Sequence, residues 1–205
     1  GRKKHAGDAI FEDVNNDGQL DSKDMKFMGY IRPDKVGGIV NSFKYKGLTV
    51  RVVMDWAMGH VIDNGFKGQI MGSSRNNNNA IKDAMTNSWQ SANDGTKYPK
   101  YTVQSDYDYQ YRNHMRWDNQ IGSSESGSTN NSLYFSKGDY LAFREVSLSY
   151  MLPSTWVRKI RLSGVEVFAG AYNIGYIKKY DGMFPEIYTG VDYGVYPRPR
   201  QYNMG

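Results

Sequence analysis

The chain has no cysteine among its 205 residues, which excludes a disulfide scaffold, thiolate metal sites and cysteine catalysis. Histidine is nearly absent as well: His5, His60 and His114 lie far apart, share no ligand spacing, and read as ordinary surface or loop residues. No long apolar run occurs, so a membrane-spanning helix is excluded; a membrane barrel is not, because its alternating strands give a weak hydropathy signal. No Ser/His/Asp arrangement carries a local signature, and carboxylates such as Asp106 and Asp108 read as solvated loop groups rather than a glycosidase pair. The chain is therefore not expected to be an enzyme. It starts at Gly1 without a signal peptide or lipidation motif and is expected to be a mature or internal piece.

What is present favours strands and loops. Tyr (17), Phe (8) and Trp (4) make up 14% of the chain and Gly stands at 22, a composition that suits half-buried pleated surfaces better than helices. The net charge of +5 is scattered over Arg2-Lys3-Lys4, Arg158-Lys159, Lys178-Lys179 and Arg198/Arg200, with acids between them. A nucleic-acid partner would call for a basic patch on one element, so none is expected.

Period-two patterning is clearest over Leu48–Trp56. There Leu48, Val50, Val52, Met54 and Trp56 form one apolar face, opposed by Thr49, Arg51, Val53 and Asp55. Ile39–Tyr45 precedes it across a tight Lys46-Gly47 link, as expected for a hairpin. Ala142–Leu152 alternates until Pro153, Val165–Ala171 alternates again, and Arg200–Met204 is a last extended piece. Residues 60–139 form an excursion far longer than ordinary loops, with polar tracts at 76–79 and 123–132. Within it Ala80, Ile81, Ala84, Met85 and Trp89 have helical spacing, with Asn79 placed as a cap. Long excursions beside very short turns are the asymmetry of outer-membrane barrels. The parity agrees: with Lys46-Gly47 and 153–164 as periplasmic turns, 60–139 and 176–197 both fall outside.

Two groups of residues carry chemistry. Asp13, Asn15, Asp17, Gln19, Asp21 and Asp24 stand at positions 1, 3, 5, 7, 9 and 12 of a calcium-type loop, with Gly18 at the sharp turn and Gln19 offering its backbone carbonyl. Position 12 is Asp rather than the usual Glu, so its reach is shorter. The bland reading is an Asx-rich turn that satisfies its own backbone. Extended residues before the loop and Gly29 and Pro33 after it leave no swinging helices, so a bound calcium ion would be structural. Tyr107, Tyr109, Tyr111 and Trp117, with Trp89 upstream, form an aromatic group beside hydrogen-bonding residues, suited to stacking on sugars or packing against a partner. The alternative is a self-packed loop. Trp56 and Trp156 read as interfacial girdle residues, while Arg51, Asp55, Arg144 and Glu145 would face a lumen or pair across strands.

Several blocks resemble the C-terminal end of SusC/RagA-type TonB-dependent outer-membrane transporters. They are Gly7-Asp8, Phe11-Glu12-Asp13-Val14-Asn15-Asn16-Asp17-Gly18, and Gly138-Asp139-Tyr140-Leu141 with Arg144-Glu145-Val146-Ser147-Leu148-Ser149-Tyr150. Lys179-Tyr180-Asp181-Gly182, Pro185-Glu186 and Tyr196-Pro197-Arg198-Pro199-Arg200 follow in family order, and Trp89, Asn93 and Tyr98-Pro99-Lys100 fit the outer-loop pattern. The resemblance implies an all-β fold: the C-terminal strands of a transmembrane antiparallel barrel of about 22 strands, about five of them here, with long outer loops and a short loop helix. On that reading residues 1–35 are an outer loop holding the calcium-type sequence, residues 36–205 are barrel strands, and the family's plug and most of its barrel lie outside this chain. Also implied are an outer-membrane location among lipid, a SusD-like surface lipoprotein, the TonB complex acting through the N-terminal plug, and a glycan or peptide cargo, as in Bacteroidetes nutrient uptake. The rival reading is a secreted calcium-stabilised β-domain that binds carbohydrate through exposed Tyr and Trp. The two differ in whether the apolar face of Leu48–Trp56 meets lipid or a buried core.

Overall fold

The computed structural model describes residues 6–7, 10–19, 22–67, 82–96, 98–101 and 132–205. Two compact units emerge, a sheet unit (Tyr30–Val61, Lys137–Tyr188, Val195–Gly205) and a loop unit (Gly1–Gly29, Ile62–Ser136, Thr189–Gly194).

The sheet unit is built from β1 (Lys35–Tyr45), β2 (Leu48–Met58), β5 (Tyr140–Met151), β6 (Glu166–Lys178) and β7 (Gln201–Met204). They pair in the order β1-β2-β5-β6-β7, each neighbour antiparallel to the next. The four longer strands run to 11, 11, 12 and 13 residues, enough to cross a bilayer when tilted. β1 and β2 are joined by Lys46-Gly47, both at positive φ (45° and 89°), the two-residue turn whose twist matches its strands. A side chain at Gly47 would lie 2.8 Å from the Met151 carbonyl, so this end of the sheet closes only with glycine there.

The expected alternation holds along β2 and is carried across the sheet by register. Leu48, Val50, Val52, Met54 and Trp56 sit beside Tyr150, Leu148, Val146, Phe143 and Leu141 of β5. Tyr45, Phe43, Asn41, Ile39 and Gly37 of β1 continue the row on one side, and Val167, Ala169 and Ala171 of β6 on the other. This face is apolar and uncovered: Phe43 is 58% exposed and Leu148 46%. The opposite face carries Thr49, Arg51 and Asp55 beside Ser149, Ser147 and Ala142. Trp56 lies over Gly37, where an added Cβ would come within 2.4 Å of the indole.

Strict alternation breaks on β5. Between Phe143 and Glu145 the register slips against both neighbouring strands. Simple alternation would place Arg144 with Val146, Leu148 and Tyr150. The bulge instead moves Phe143 into the apolar row and leaves Arg144 on the polar face with Ala142, because an extra residue reverses the pleat. β6 also runs on to Lys178, beyond the expected patterning, so its outer connection starts at residue 179.

In the loop unit, β4 (Phe135–Lys137) pairs with the short β3 (Val61–Asp63). Ile62, Tyr98 and Tyr134 are its buried apolar residues. Asp63 donates its N–H to Gly190 and accepts from Asp192, which fastens the second outer connection to the first. The expected helix is present over α1 (Lys82–Thr86); Asn79, Ala80 and Ile81 lie outside the described residues, and Trp89 falls beyond the helix end. Asp94 accepts from the N–H groups of Gln90 (2.6 Å), Ser91 (3.0 Å) and Thr96 (3.1 Å), and these donors hold its carboxyl well below the usual carboxylate range.

Candidate functional site

The polar face of the sheet holds a matched set of charges at the Arg144 bulge. Arg144 reaches Asp55 of β2 through two donors, Nε to Oδ1 and Nη2 to Oδ2, the latter at 2.7 Å. Its Nη1 lies 2.6 Å from Oε1 of Glu186, whose side chain is fully buried. Glu186 also meets Nη2 of Arg198 at 3.1 Å and accepts from the Tyr176 hydroxyl at 2.7 Å and the Tyr188 hydroxyl at 3.4 Å. Two carboxylates therefore face two guanidiniums, and the buried Glu186 has donors on both oxygens. A buried carboxylate without those partners would be strongly disfavoured.

Aromatic packing frames the network. Tyr176 stands edge-on to both Tyr140 and Phe184, with ring centroids 5.9 and 5.8 Å apart, and Arg198 lies 5.9 Å above the Phe184 ring. Phe184 and Ile187 are each 5% exposed, so the segment after β6 is folded down on the wall and fastened there through Glu186. Further along the same face Arg51 pairs with Glu145 at 3.2 Å, and Ser147 donates to the same carboxylate at 2.8 Å. The sequence expectation that Arg51, Asp55, Arg144 and Glu145 pair across strands is what the structure shows. Glu186 and Arg198 were legible only as members of the blocks that carry the resemblance, and Tyr176 was not singled out; nothing in their spacing shows that they meet.

At the loop-bearing end of the strands, Asp139 accepts from the Gly59 N–H (2.8 Å) and from Lys179 Nζ (3.0 Å), tying β2, β5 and β6 together. Burial pushes the Asp139 carboxyl up, but these donors outweigh it and leave it below its ordinary value. Beside it, burial pushes the His60 imidazole below its ordinary value, with the Asp139 charge opposing.

The calcium-type loop is exposed and folds on itself. Asp13 accepts from Asp17 (3.2 Å) and Gly18 (2.8 Å), Asn15 Oδ1 from Asp17 (3.0 Å), Asp17 Oδ1 from Gln19 (2.9 Å), and Asp24 from Val14 (2.8 Å). Asp21 lies outside the described residues, and among the described residues no cluster of three or more acidic or histidine side chains is gathered as for a metal. The hard oxygen donors of Asp13, Asn15 and Asp17 are brought into one turn, and each carboxylate oxygen keeps a further lone pair, which suits a calcium ion. Of the aromatic group, Tyr107, Tyr109, Tyr111 and Trp117 lie outside the described residues. Trp89 is half-buried, with its ring against Gly7 and its N–H donating to the Tyr98 carbonyl.

An antiparallel wall with one apolar uncovered face, one charged face, tight turns at one end and long connections at the other is a segment of a transmembrane β-barrel. No family model matches the chain. It is 25% identical over 211 residues to TonB-dependent receptor P3 of Formosa agariphila, covering 97% of this chain and 18% of that protein. TonB-dependent receptor P39 of the same organism is 24% identical over 183 residues, covering 88% and 16%. The chain thus spans less than a fifth of the length of these relatives. Its fold matches solved structures of the RagAB peptide transporter (TM-score 0.63, 21% identity, 91% of this chain and 20% of that one) and of the RagAB peptide importer in the closed-closed state (TM-score 0.62, 21% identity). The chain is similar to a stretch of TonB-dependent receptors and shares the fold of the RagAB transporter barrel, and its place is the outer membrane. The apolar face of Leu48–Trp56 belongs to the uncovered side of the sheet, as a lipid-facing barrel wall requires.

Proposed function

We propose that this chain supplies wall and outer-loop surface to a TonB-energised importer of glycans or peptides that works with a SusD-like surface lipoprotein, and that it contributes no catalysis of its own. The observation that carries this reading is the two-faced sheet: an apolar row for lipid backed by a charge-matched, hydrogen-bonded row for an aqueous lumen. The names of the curated relatives support a receptor, and the solved structures of similar fold are of a peptide importer. The aromatic residues Trp89, Tyr107, Tyr109, Tyr111 and Trp117 are proposed to contact cargo or the lipoprotein. Deleting the full-length receptor from its host should abolish uptake of labelled oligosaccharides or peptides from a mixed pool, and a tagged receptor should co-purify with a surface lipoprotein. Unchanged depletion of every pool member would overturn the proposal.

The loop Asp13–Asp24 is proposed to take one structural calcium ion through Asp13, Asn15, Asp17, the Gln19 carbonyl, Asp21 and Asp24. The support is ligand order together with the inward turn of the first three oxygen-bearing side chains. Calcium would cross-link the loop and leave the wall untouched.

A further inference from the structure

The short-turn end of the wall carries a surface that neither cargo nor lid accounts for. The β5–β6 connection folds as a short helix, α2 (Ser154–Val157), followed by a tight turn at Arg158–Ile160 and a left-handed Arg161 (φ 59°). Val157 is buried (1% exposed) and anchors this turn, which is closed by bonds from Leu162 N–H to Val157 and from Leu152 N–H to Val165. Its other large apolar residues point away: Trp156 is 63% exposed, Ile160 64% and Leu162 49%. Among them stand Arg158, Lys159 and Arg161, and Lys46 occupies the neighbouring hairpin, whose Gly47 carbonyl accepts from the Met151 N–H. Glu166 is the one acid in residues 44–48 and 150–167, and no described residue forms an ion pair with any of the four cations.

We infer that this turn docks on the anionic phospholipid headgroups of the leaflet that borders the short-turn end of the barrel. Two observations select that occupant. The surplus of cations calls for an anionic partner and disfavours a second copy of the same turn. The exposed Trp156, Ile160 and Leu162 stand in the connection between β5 and β6, next to the end of the apolar row at Tyr45, Leu48, Tyr150 and Val167. An apolar rim under a cationic one matches the boundary between acyl chains and phosphates, where Trp and snorkelling Lys and Arg side chains are most stable.

The test uses the full-length receptor in nanodiscs of phosphatidylcholine mixed with phosphatidylglycerol, with retained lipids counted by native mass spectrometry. The wild type should retain phosphatidylglycerol in preference to phosphatidylcholine. Arg158→Gln, Lys159→Gln and Arg161→Gln should each reduce that preference by about five-fold, since a basic residue at the membrane surface contributes about one kilocalorie. The charge-conserving pair Arg158→Lys with Arg161→Lys should keep it. Equal retention of the two lipids by the wild type, or an unchanged preference in the triple Gln variant, overturns the inference. So does a triple variant that loses binding to soluble peptidoglycan fragments while its lipid preference stays intact, since the partner would then be the cell-wall polymer.

Discussion

Glu186 and Asp13 are both carboxylates that accept several hydrogen bonds, yet their settings differ in every respect that governs energy. Glu186 is fully buried on the wall, held by two arginines and two tyrosines from distant parts of the chain. Asp13 is half-buried, and its bonds to backbone groups four and five residues away are exposed. The first set of contacts can form only when β2, β5, β6 and the following connection are all in place. The second can form in an isolated peptide. Low dielectric and lost hydration raise the stakes at Glu186, whereas water competes for every bond at Asp13.

That contrast is best broken at its strong end. Glu186→Ala should lower the stability of the full-length receptor by about 3–5 kcal/mol, because it leaves Arg144 short of a partner at a buried site. Thermal unfolding in detergent would show it, and a loss near zero would mean that the network is solvated. Glu186→Gln, which keeps the hydrogen-bond geometry without the charge, should cost less. Gly37→Leu should come next, at about 1–3 kcal/mol, since Trp56 must leave its place for the new side chain. Arg51→Ala should cost only about 0–1 kcal/mol, because Arg51 is 45% exposed and its pair with Glu145 is screened; the same melting assay at low and high salt would check it.

Two smaller effects probe the loop-bearing regions. His60 has a lowered pKa, so the unfolded chain binds its proton more tightly than the folded one. Its neutral, buried form stabilises the fold above the ordinary value of 6.5, and that contribution is lost as pH falls through this value. Replacing His60 by Asn should flatten the decline in melting temperature between pH 7.5 and 5.5; an unchanged slope would remove His60 as its source. At Asp13, the double change Asp13→Ala plus Asp17→Ala should leave stability without calcium nearly unchanged and remove the rise in melting temperature on adding millimolar calcium. No rise in the unaltered protein would sink the calcium proposal and leave the self-satisfied turn.

Much of the wall was legible because its signals are local. Period-two alternation placed β2 to within two residues, Lys46-Gly47 announced the hairpin, and Pro153 marked the end of β5. Helical spacing located α1 but overran it to Trp89, since a short apolar pattern cannot tell a helix from the turn that follows. β3 and β4 carried no usable pattern at three residues each. Strict alternation alone would put Arg144 in the row of Val146, whereas its charge pointed to the polar face; a one-residue bulge reconciles the two, and nothing in Phe143-Arg144-Glu145 marks where it falls.

By itself the sequence determined the two-faced strands, their tight turns and the order of oxygen ligands in the Asp13–Asp24 loop, since each depends on neighbours within a few residues. Only the tertiary structure decided that a bulge sets Arg144 against Asp55, that Glu186 reaches it from beyond β6, and that Trp156, Ile160 and Leu162 stand exposed among cations. Those outcomes depend on register and on which distant segments share a dielectric environment. Both are properties of the assembled sheet, and no window of sequence contains them.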